Sequence, residues 1–438
     1  MTSEFAPSDP PASGPLPLAG LTVIEFTHMV MGPVVGSILA ELGAEVIKVE
    51  PLDGDATRSL KGSGAGYFPM YNRNKQSICL NLKDERGLAL ARRMVVGSDI
   101  LVENFRLGTL DGLGLSYESL KALNPRLIYC SQKGFLAGPY AHRTALDEVA
   151  QMMGGLAYMT GPPGRPLRAG ASVVDVTGGM FGVIGILAAL QQRHATGLGQ
   201  KVTSALFETT AFLVGQHMAQ MAVTGKAAKP MPVRVSAWAI YDVFDVQGGD
   251  AASSGEAARS GEAARSDEAA PAGEQVFVGV VSDAQWQAFC RAFGFEEFGS
   301  DERYRTNAQR VEARNEILPV VRARFADMSK TDLLARLEQA GLPFAPIARP
   351  EDLFDDPHLN AGGGLAPTTL PDGRSTRLPC LPIEMAGRRP TQGGGLPAPG
   401  EHTRRILARF GLSKAEVDGL RTARVIRDER VINDEDES

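Results

Sequence analysis

The stretch LTVIEFTHMVMGPVVGSILAELGAEVIKVE, residues 21–50, decides how the first part of the chain folds. Its first eight residues, LTVIEFTH, predict a β-strand, and AEVIKVE at its end predicts a second one. The segment between them, GPVVGSILAELG, predicts a helix that Gly43 ends. Both strands are apolar along most of their length, as strands of a parallel sheet are when helices cover both of its faces.

The same alternation continues to about residue 225. The segments QSICLNL, DILVENF, RLIYCSQKGF and GQKVTSALFE predict further strands, and helical segments separate most of them. Right-handed crossovers between parallel strands then give a Rossmann-like, doubly wound sheet. The predicted fold class is therefore α/β, with this sheet in the larger of two domains.

Two domains are expected because 438 residues exceed what one compact core usually holds. A disordered, Pro- and Ser-rich leader is predicted for residues 1–17, and the large domain for 18–225. A small α+β domain is predicted for 226–348, starting at the linker KAAKPMPVR, and a return to the large domain for 349–438. The segment 248–274 contains a short S-G-E-A-A-R repeat between two predicted strands, which indicates an expanded hairpin loop.

Composition narrows the classes of function. The net charge of −6 gives no support to a nucleic-acid-binding surface. The leader has neither the basic nor the apolar part of a signal peptide, and the apolar run from Val176 to Leu190 is short for a membrane span. The four cysteines are widely separated, which predicts a cytoplasmic protein. The six histidines have no metal-ligand spacing, so we expect neither a bound metal nor, from the preceding features, binding to a membrane.

The first turn between strand and helix, EFTHMVMGP, contains one glycine where a dinucleotide-binding turn has three. The sequence also has no phosphate-binding P-loop and no G-x-S-x-G nucleophile elbow. We therefore expect neither a tightly bound nicotinamide cofactor nor ATP or serine-hydrolase chemistry.

Basic residues cluster near the ends of several predicted strands. Arg73, Lys75 and Lys83 flank one strand, and Arg106 and Lys133 follow two later ones. Ligands bind at the carboxyl ends of the strands in doubly wound sheets. The pattern leaves two interpretations open for these residues and for Arg58, in a loop nearby in sequence. They bind a polyphosphate ligand, or they are ordinary solvated surface residues.

A single carboxylate, Asp175, stands in GASVVDVTGG at the start of an apolar helical segment. On residue type alone, helix capping is the simpler interpretation, since Asp is a favoured N-cap. A helix N-terminus would also hold a nucleophilic carboxylate in its ionised form. Gly178 and Gly179, just inside the helix, indicate close approach either of a ligand or of another helix.

Eight segments, in order, carry a close resemblance to a known family. They are LAGLTVIEFTHMVMGP, LGAEVIKVEP, NRNKQSICLNL, DILVENFRLGTLDGLGL, NPRLIYCS, GASVVDVTGG, ATGLGQKV and GEHTRRIL. The chain resembles the family III CoA-transferases, the CaiB/BaiF family that includes formyl-CoA transferase, from about residue 16 to 425. The resemblance implies an interlocked homodimer in which both ends of each chain build the Rossmann-like large domain.

The resemblance also implies a reaction. Asp175 would attack an acyl-CoA thioester and form an anhydride, and returning CoA thiolate would then give an aspartyl-CoA thioester. Backbone N–H groups near Asp175 and in the turn from His28 to Val30 would stabilise the oxyanion. The implied activity is transfer of CoA from an acyl-CoA donor to a carboxylic acid, with CoA as substrate and no tightly bound cofactor.

Other site residues come from matching positions in the family. The resemblance implies that CoA contacts His28, Met29, Val30, Leu80, Lys83, Asn104 and Phe105, and that Tyr67 and Asp147 lie near the reacting groups. Arg106 is a candidate for the CoA phosphates.

The chain also departs from the family pattern. Val30 replaces a glutamine, Gly112 replaces an arginine, and a glycine-rich loop is absent before the small domain, which argues against oxalate as acceptor. Leu146 stands ahead of Asp147, where α-methylacyl-CoA racemases of the family have a histidine base. The alternative function, acyl-CoA epimerisation of the racemase type, thus lacks its base at that position.

A dicarboxylate acceptor and succinyl-CoA as donor are expected, because substrates of this kind recur in the family outside the formyl branch. Mesaconate, itaconate, citramalate, malate and glutarate are all candidates. Arg143, Arg168 and Arg234 are candidates to hold the distal carboxylate, since a guanidinium binds a carboxylate through two hydrogen bonds.

Overall fold

The computed structural model of the chain describes residues 14–234, 236–247, 274–390 and 394–428. One compact unit contains the described residues up to Val233 and from Asp356 onward, and the other extends from Arg234 to Asp355. The predicted borders, at 226 and 349, lie a few residues earlier. Most of the predicted leader and all but Glu274 of the predicted insert lie outside the described residues.

The strands and helices are numbered along the chain. The strands are β1 (Thr22–Phe26), β2 (Glu45–Glu50), β3 (Gln76–Leu80), β4 (Ile100–Glu103), β5 (Ile128–Lys133), β6 (Lys201–Ala205), β7 (Tyr241–Asp245), β8 (Gln275–Gly279), β9 (Phe344–Pro346), β10 (Leu365–Thr369), β11 (Ser375–Pro379) and β12 (Ile426–Arg427). The helices are α1 (Met31–Glu41), α2 (Tyr67–Tyr71), α3 (Glu85–Val96), α4 (Thr109–Gly112), α5 (Tyr117–Lys121), α6 (Asp147–Met153), α7 (Leu156–Thr160), α8 (Val173–Thr196), α9 (Leu206–Leu213), α10 (Gly215–Thr224), α11 (Asp283–Phe293), α12 (Glu296–Ser300), α13 (Asn307–Glu312), α14 (Arg314–Ala326), α15 (Lys330–Gln339), α16 (Pro357–Ala361), α17 (Thr403–Arg409) and α18 (Lys414–Thr422).

In the larger unit the described residues form a seven-stranded sheet in the order β12-β3-β2-β1-β4-β5-β6. All of its pairs are parallel except β12 with β3. Every residue of β1 and β4 is buried, and both strands carry apolar side chains on both faces beside the buried carboxylates Glu25 and Glu103. Ile24 and Phe26 belong to the core on one face of the sheet, and Val23 to the core on the other. The sheet is doubly wound, as predicted from the alternation of strands and helices.

The end of the chain completes this sheet. Ile426 pairs with Leu80 in the antiparallel edge pair, and α17 and α18 contribute Ile406, Leu407 and Val417 to the core beside it. The Pro- and Gly-rich segment before them contains the antiparallel hairpin β10–β11, which the sequence pattern did not predict.

The smaller unit is an α+β fold. Its antiparallel strands follow the order β7-β8-β9, and α11 to α15 accompany them. Aromatic side chains, including Phe244, Trp286, Phe289 and Phe325, fill its core. The two strands that flank the predicted insert, β7 and β8, pair directly with each other, as a hairpin requires.

Among the described residues, α8 alone is long and apolar enough to span a membrane by length and composition. In its most apolar window, 44% is buried inside the protein. Val174, Val183 and Ile186 are among its buried side chains. Core helices of globular proteins meet the same criterion, but Met180, Ile184 and Leu187 of this helix are exposed apolar side chains.

Candidate active site

A cavity of about 660 Å³ lies at the carboxyl ends of β1, β4 and β5 and at the start of α8. Ligands are expected at this edge of a doubly wound sheet. Nine of the residues that the sequence assigned to the site line this one cavity: His28, Met29, Val30, Tyr67, Asn104, Phe105, Arg106, Asp147 and Asp175. Residues far apart in the chain thus meet around a single space.

Asp175, the third residue of α8, is half-buried in the cavity wall. Its carboxylate accepts no hydrogen bond from any described residue, so its oxygens are available to a ligand. Burial raises the pKa of the Asp175 carboxyl, and the negative charge of Asp147 raises it further, to about 7. Burial and Asp147 thus oppose the ionised form that a helix N-terminus is expected to favour.

The helix start is occupied by a different carboxylate. Asp147 Oδ2 accepts hydrogen bonds from the N–H groups of Val174 (2.9 Å) and Asp175 (3.0 Å), and Gln151 Nε2 donates to Asp147 Oδ1. Asp147 is 4% exposed, and it begins α6. The capping interpretation was thus right about the helix and wrong about the residue, since Asp147 caps α8 and Asp175 does not.

The glycines of α8 serve helix packing. A Cβ on Gly178 would lie 2.6 Å from the terminal methyl of Met31, and one on Gly179 would lie 2.8 Å from the Met31 carbonyl oxygen and from a methyl of Val34. Both neighbours belong to α1. Of the two interpretations of these glycines, close approach of another helix is right and close approach of a ligand is wrong, because α1 fills that space.

The turn before α1 is held in a left-handed conformation. Met29 has φ +63°, which is uncommon for a residue other than glycine, and its N–H donates to Thr57 Oγ1 at 3.0 Å. Asn104 fixes the preceding residue from both sides: its Oδ1 accepts from the His28 N–H at 3.0 Å and its Nδ2 donates to the His28 carbonyl at 2.8 Å. The His28 ring stacks on Phe105, with 5.5 Å between centroids.

This turn exposes backbone donors to the cavity. Val30 and Met31 line it, and no described residue accepts a hydrogen bond from the N–H group of Met31, the first residue of α1. The first N–H groups of a helix have no partner within the helix and carry its positive dipole end. By contrast, the first N–H groups of α8 already bind Asp147, so the expected oxyanion donors near Asp175 are taken.

Buried ion pairs support the turn from below. Lys75 Nζ lies 2.9 Å from Glu25 and donates to the Pro33 carbonyl, while Lys48 Nζ lies 2.9 Å from Asp55 and donates to the Thr27 carbonyl at 2.8 Å. Burial lowers the pKa of the Lys75 ammonium to about 8, and the charge of Glu25 works against that shift. These groups hold the turn in place and are not open to a ligand.

The polyphosphate interpretation is therefore wrong for three of the basic residues. Lys75 is fully committed to the buried pair, Arg73 is paired with Glu41, and Arg58 is paired with Glu50. Lys133 lines the cavity, but it is paired with Glu103. Arg106 lines the cavity, is exposed and forms no ion pair with a described residue.

Tyr71, which the sequence analysis did not single out, does not line the cavity but lies close enough to Asp175 to feel its charge. It is half-buried at the end of α2, and burial together with the charge of Asp175 raises the pKa of its hydroxyl. Tyr67 and Tyr71 are four residues apart, which places them on the same side of a helix. That spacing was the available signal.

The chain is similar to known proteins over most of its length. The sequence matches the profile of CoA-transferase family III over residues 18–266 and 256–403. It is 34% identical to the succinate–glutarate CoA-transferase of Agrobacterium fabrum, over 90% of this chain and 95% of that protein. The chain belongs to CoA-transferase family III. The resemblance found in the sequence is thereby confirmed.

Other family members are similar along nearly their whole length. The formyl-CoA:oxalate CoA-transferase of Streptomyces coelicolor is 32% identical over 93% of this chain and 99% of that protein. The crystal structure of a CaiB/BaiF family protein from Brucella suis is 34% identical, covers 91% of this chain and all of that one, and superposes with a TM-score of 0.74. These matches confirm the α/β fold and make this family III protein a CoA-transferase, with CoA thioesters as substrates.

Some residues matched to the family fall outside the cavity. Leu80 is buried in the core where β3 pairs with β12, and Lys83 is exposed in the turn after β3. Of the arginines proposed for a distal carboxylate, Arg143 lines the cavity, Arg168 is paired with the cavity residue Glu148, and Arg234 belongs to the other unit. The described residues include no group of three or more His, Cys, Asp or Glu side chains that could hold a metal ion.

Proposed function

We propose that this family III enzyme transfers CoA between two carboxylic acids with Asp175 as its nucleophile. The observation that carries the proposal is the Asp175 carboxylate, which lines the cavity without a hydrogen-bond partner among the described residues. A nucleophile must present a free lone pair to the substrate, whereas a capping or ion-paired carboxylate does not.

Each step of the exchange conserves charge. The Asp175 carboxylate attacks the thioester carbonyl, the C–S bond breaks, and an acyl-aspartyl anhydride and CoA thiolate form. The thiolate attacks the Asp175 carbonyl, which releases the donor acid and leaves an aspartyl-CoA thioester. The acceptor carboxylate then attacks the aspartyl-CoA thioester, which releases CoA thiolate and forms a second anhydride. The thiolate attacks the acceptor's carbonyl in that anhydride and forms the new acyl-CoA. The Asp175 carboxylate is regenerated with no net transfer of a proton.

In this proposal, a backbone N–H donor at the start of α1 stabilises the oxyanion. The N–H group of the cavity residue Met31 has no partner among the described residues, and the positive end of the helix dipole adds to its effect. Val30 has no polar side chain with which to assist it. A single donor in such a site contributes about 10²–10³ to the rate.

We propose succinyl-CoA as donor and a dicarboxylate such as glutarate as acceptor. The name of the relative from Agrobacterium fabrum supports this pair. Arg143 is the candidate for the distal carboxylate: it lines the cavity, stacks on the Tyr140 ring at 4.2 Å and forms no ion pair with a described residue.

The test is a substrate panel. We expect succinyl-CoA with glutarate, malate, mesaconate, itaconate or citramalate to yield a new acyl-CoA detectable by mass spectrometry, and oxalate to yield none. Arg143→Ala should raise the KM for the accepted dicarboxylate about tenfold or more, because it removes a charge-assisted hydrogen bond. Deuterium uptake at the α-carbon of an acyl-CoA without any acceptor would instead support epimerisation.

A homodimer is the proposed assembly. The outer faces of α8, α9 and α10 expose apolar side chains, among them Ile184 (58%), Phe212 (72%), Met218 (64%) and Val223 (85%). Several exposed apolar side chains on consecutive helices support a protein interface there. Phe212→Glu should shift the molecular mass measured by light scattering from dimer towards monomer. The control Leu123→Glu, at an exposed residue away from these helices, should leave it unchanged.

We place the enzyme in the cytoplasm, without a tightly bound cofactor. All four cysteines are free and buried, as is usual for proteins of a reducing compartment.

A further inference from the structure

Gln151 is a buried polar residue that the proposed reaction does not use. It lies in α6, four residues after Asp147, and it is 0% exposed. It is not among the described residues that line the active-site cavity. Burying an amide costs free energy unless its donor and its acceptor both find hydrogen-bond partners. The partners of Gln151 therefore indicate what its side chain does.

Both ends of the Gln151 amide have partners. Its Nε2 donates to Asp147 Oδ1, and its Oε1 accepts from the Ala169 N–H at 2.8 Å. The reversed amide would turn its oxygen towards the carboxylate and its nitrogen towards an N–H group, so that acceptor would face acceptor and donor would face donor. One orientation of the amide satisfies both partners, and these two contacts hold the side chain in it.

The two oxygens of Asp147 have different partners. Oδ1 accepts from Gln151, while Oδ2 accepts from the N–H groups of Val174 and Asp175, at 2.9 and 3.0 Å. Donors on both oxygens fix the plane of this carboxylate, which is 4% exposed. The first turn of α8 is thus held by Asp147, and the direction of the Asp147 carboxylate is held by Gln151.

The same amide binds the part of the chain that leads into α8. Residues 161–172, between α7 and α8, form a connecting segment that is mostly exposed. Two successive residues attach this segment to α6: Arg168 pairs with Glu148, and the Ala169 N–H donates to Gln151. Gln151 therefore joins the connecting segment to the helix whose first residue caps α8.

Of the two attachments, the one through Gln151 is the stronger. The Arg168 and Glu148 side chains are 39% and 44% exposed, and an ion pair in such a position is screened by water and contributes little. The Gln151 side chain is fully buried, so breaking one of its hydrogen bonds leaves a buried polar group unpaired. The position of the connecting segment on α6 therefore depends on Gln151 more than on the ion pair.

We propose that Gln151 is a positioning residue, which orients Asp147 and thereby fixes the turn of α8 that presents Asp175 to the acyl-CoA. The inference rests on the proposed function, in which Asp175 is the nucleophile. Because Gln151 does not line the cavity, its loss should slow the reaction without weakening the binding of CoA. Displacement of a reacting group by about 1 Å costs about 10²-fold in rate.

Gln151→Met tests the proposal, because methionine is also unbranched but has no amide to donate or accept. At a temperature where circular dichroism shows the variant to be folded, we expect kcat to fall about 10- to 100-fold while the Kd for CoA, measured by direct titration, stays the same. Amide hydrogen exchange, which needs no turnover, should be faster at Val174 and Asp175, because their acceptor is no longer held in place.

The matched control is Gln76→Met. Gln76 Nε2 also donates to a carboxylate oxygen, Glu45 Oε1, at 2.8 Å, and this residue at the start of β3 does not line the cavity. The control should keep native kcat and native hydrogen exchange at the start of α8.

Gln151→Glu separates hydrogen bonding from packing. Glutamate has nearly the shape of glutamine and can still accept from the Ala169 N–H, but it sets a carboxylate against Asp147 Oδ1. At pH 8 we therefore expect a loss of kcat at least as large as in Gln151→Met. Native kcat in Gln151→Glu would mean that the residue only fills space, and it would overturn the proposal even if Gln151→Met did not fold.

The outcomes separate this inference from the function on which it rests. Native kcat in a folded Gln151→Met protein, unchanged exchange at Val174 and Asp175, or a loss of CoA affinity as large as the loss of kcat would overturn the positioning role and leave Asp175 as the nucleophile. Absence of CoA transfer by the native enzyme would overturn the proposed function, and the exchange measurement would still decide whether Gln151 holds the start of α8.

Discussion

The Asp175→Asn enzyme is expected to turn over at least about 10⁴-fold more slowly than the native enzyme, since an amide cannot form the anhydride. The same variant should be more stable at pH 8. Burial and Asp147 raise the pKa of the Asp175 carboxyl to about 7, so the folded state disfavours the charge that the carboxyl carries at pH 8. An uncharged amide removes that penalty, which we put at about 1–2 kcal/mol.

The pH dependence gives this prediction its sign. The folded pKa lies above the ordinary value of 3.8, so the penalty is absent below about pH 4, grows as the pH rises towards 7, and is complete above it. Melting temperatures of the two proteins should therefore agree at pH 4 and differ at pH 8. The control Asp372→Asn makes the same chemical change at an exposed turn. It should keep native activity and should not show the higher melting temperature at pH 8 that is expected of Asp175→Asn.

Two measurements decide the matter. Turnover with succinyl-CoA and the accepted dicarboxylate tests the nucleophile, and hydroxylamine trapping of an acyl-enzyme tests the covalent step. A folded Asp175→Asn protein with native turnover would refute the mechanism. A variant that loses stability at pH 8 would instead mean that the carboxylate is a structural group.

The second large effect is expected at Asp147. Asp147→Ala removes the acceptor for the N–H groups of Val174 and Asp175 and for Gln151 Nε2, all in a buried site. Unpaired buried groups are costly, so a loss of about 2–4 kcal/mol of stability is expected. Because α8 carries Asp175, we also expect turnover to fall.

Asp147→Asn separates structure from charge. Its side-chain oxygen can still accept from the two N–H groups of α8, while the negative charge beside Asp175 disappears. The pKa of the Asp175 carboxyl should then fall, although burial, the larger cause, keeps it above the ordinary range. The acidic limb of kcat/KM, which reports the free enzyme, should move from about pH 7 to lower pH.

The matched control is another capping carboxylate. Asp356 accepts from the Leu359 N–H at 2.7 Å at the start of α16, away from the cavity. Asp356→Asn should leave the pH profile in place. A profile of Asp147→Asn that coincides with the native one would show that Asp147 acts on α8 by capping alone.

The fold could be predicted from the sequence largely because burial on both faces of a strand leaves a local pattern. Ile24 and Val23 point to different cores, yet both are apolar, so the run that contains them predicts a buried strand. The hairpin β10–β11 left no such pattern, since Pro and Gly surround it and eight of its ten residues are exposed or partly exposed. The return of the chain end to the first domain is expected from the final segments of the sequence, and the family resemblance implies it as well.

Most residues of the candidate site could be named from the sequence, but the contacts between them could not be predicted from it. Asp147 and Asp175 were both singled out, but which of them caps α8 depends on a contact across 28 positions of the chain. The sequence leaves Lys75 open to two interpretations, a phosphate ligand or solvated surface, because its partner Glu25 is 50 residues away. Such pairings depend on how elements pack, and a one-dimensional pattern does not record them.

The antiparallel pairing of β12 with β3 affects how the nascent chain folds during translation. During synthesis β3 emerges early, but the strand that covers its outer edge follows some 350 residues later, after the whole smaller unit (β3 ends at Leu80 and β12 begins at Ile426). An uncovered edge can pair with other chains, and closing so long a loop is slow. Nascent chains should therefore be most prone to aggregation, and most dependent on chaperones, in the interval before translation reaches the last strand.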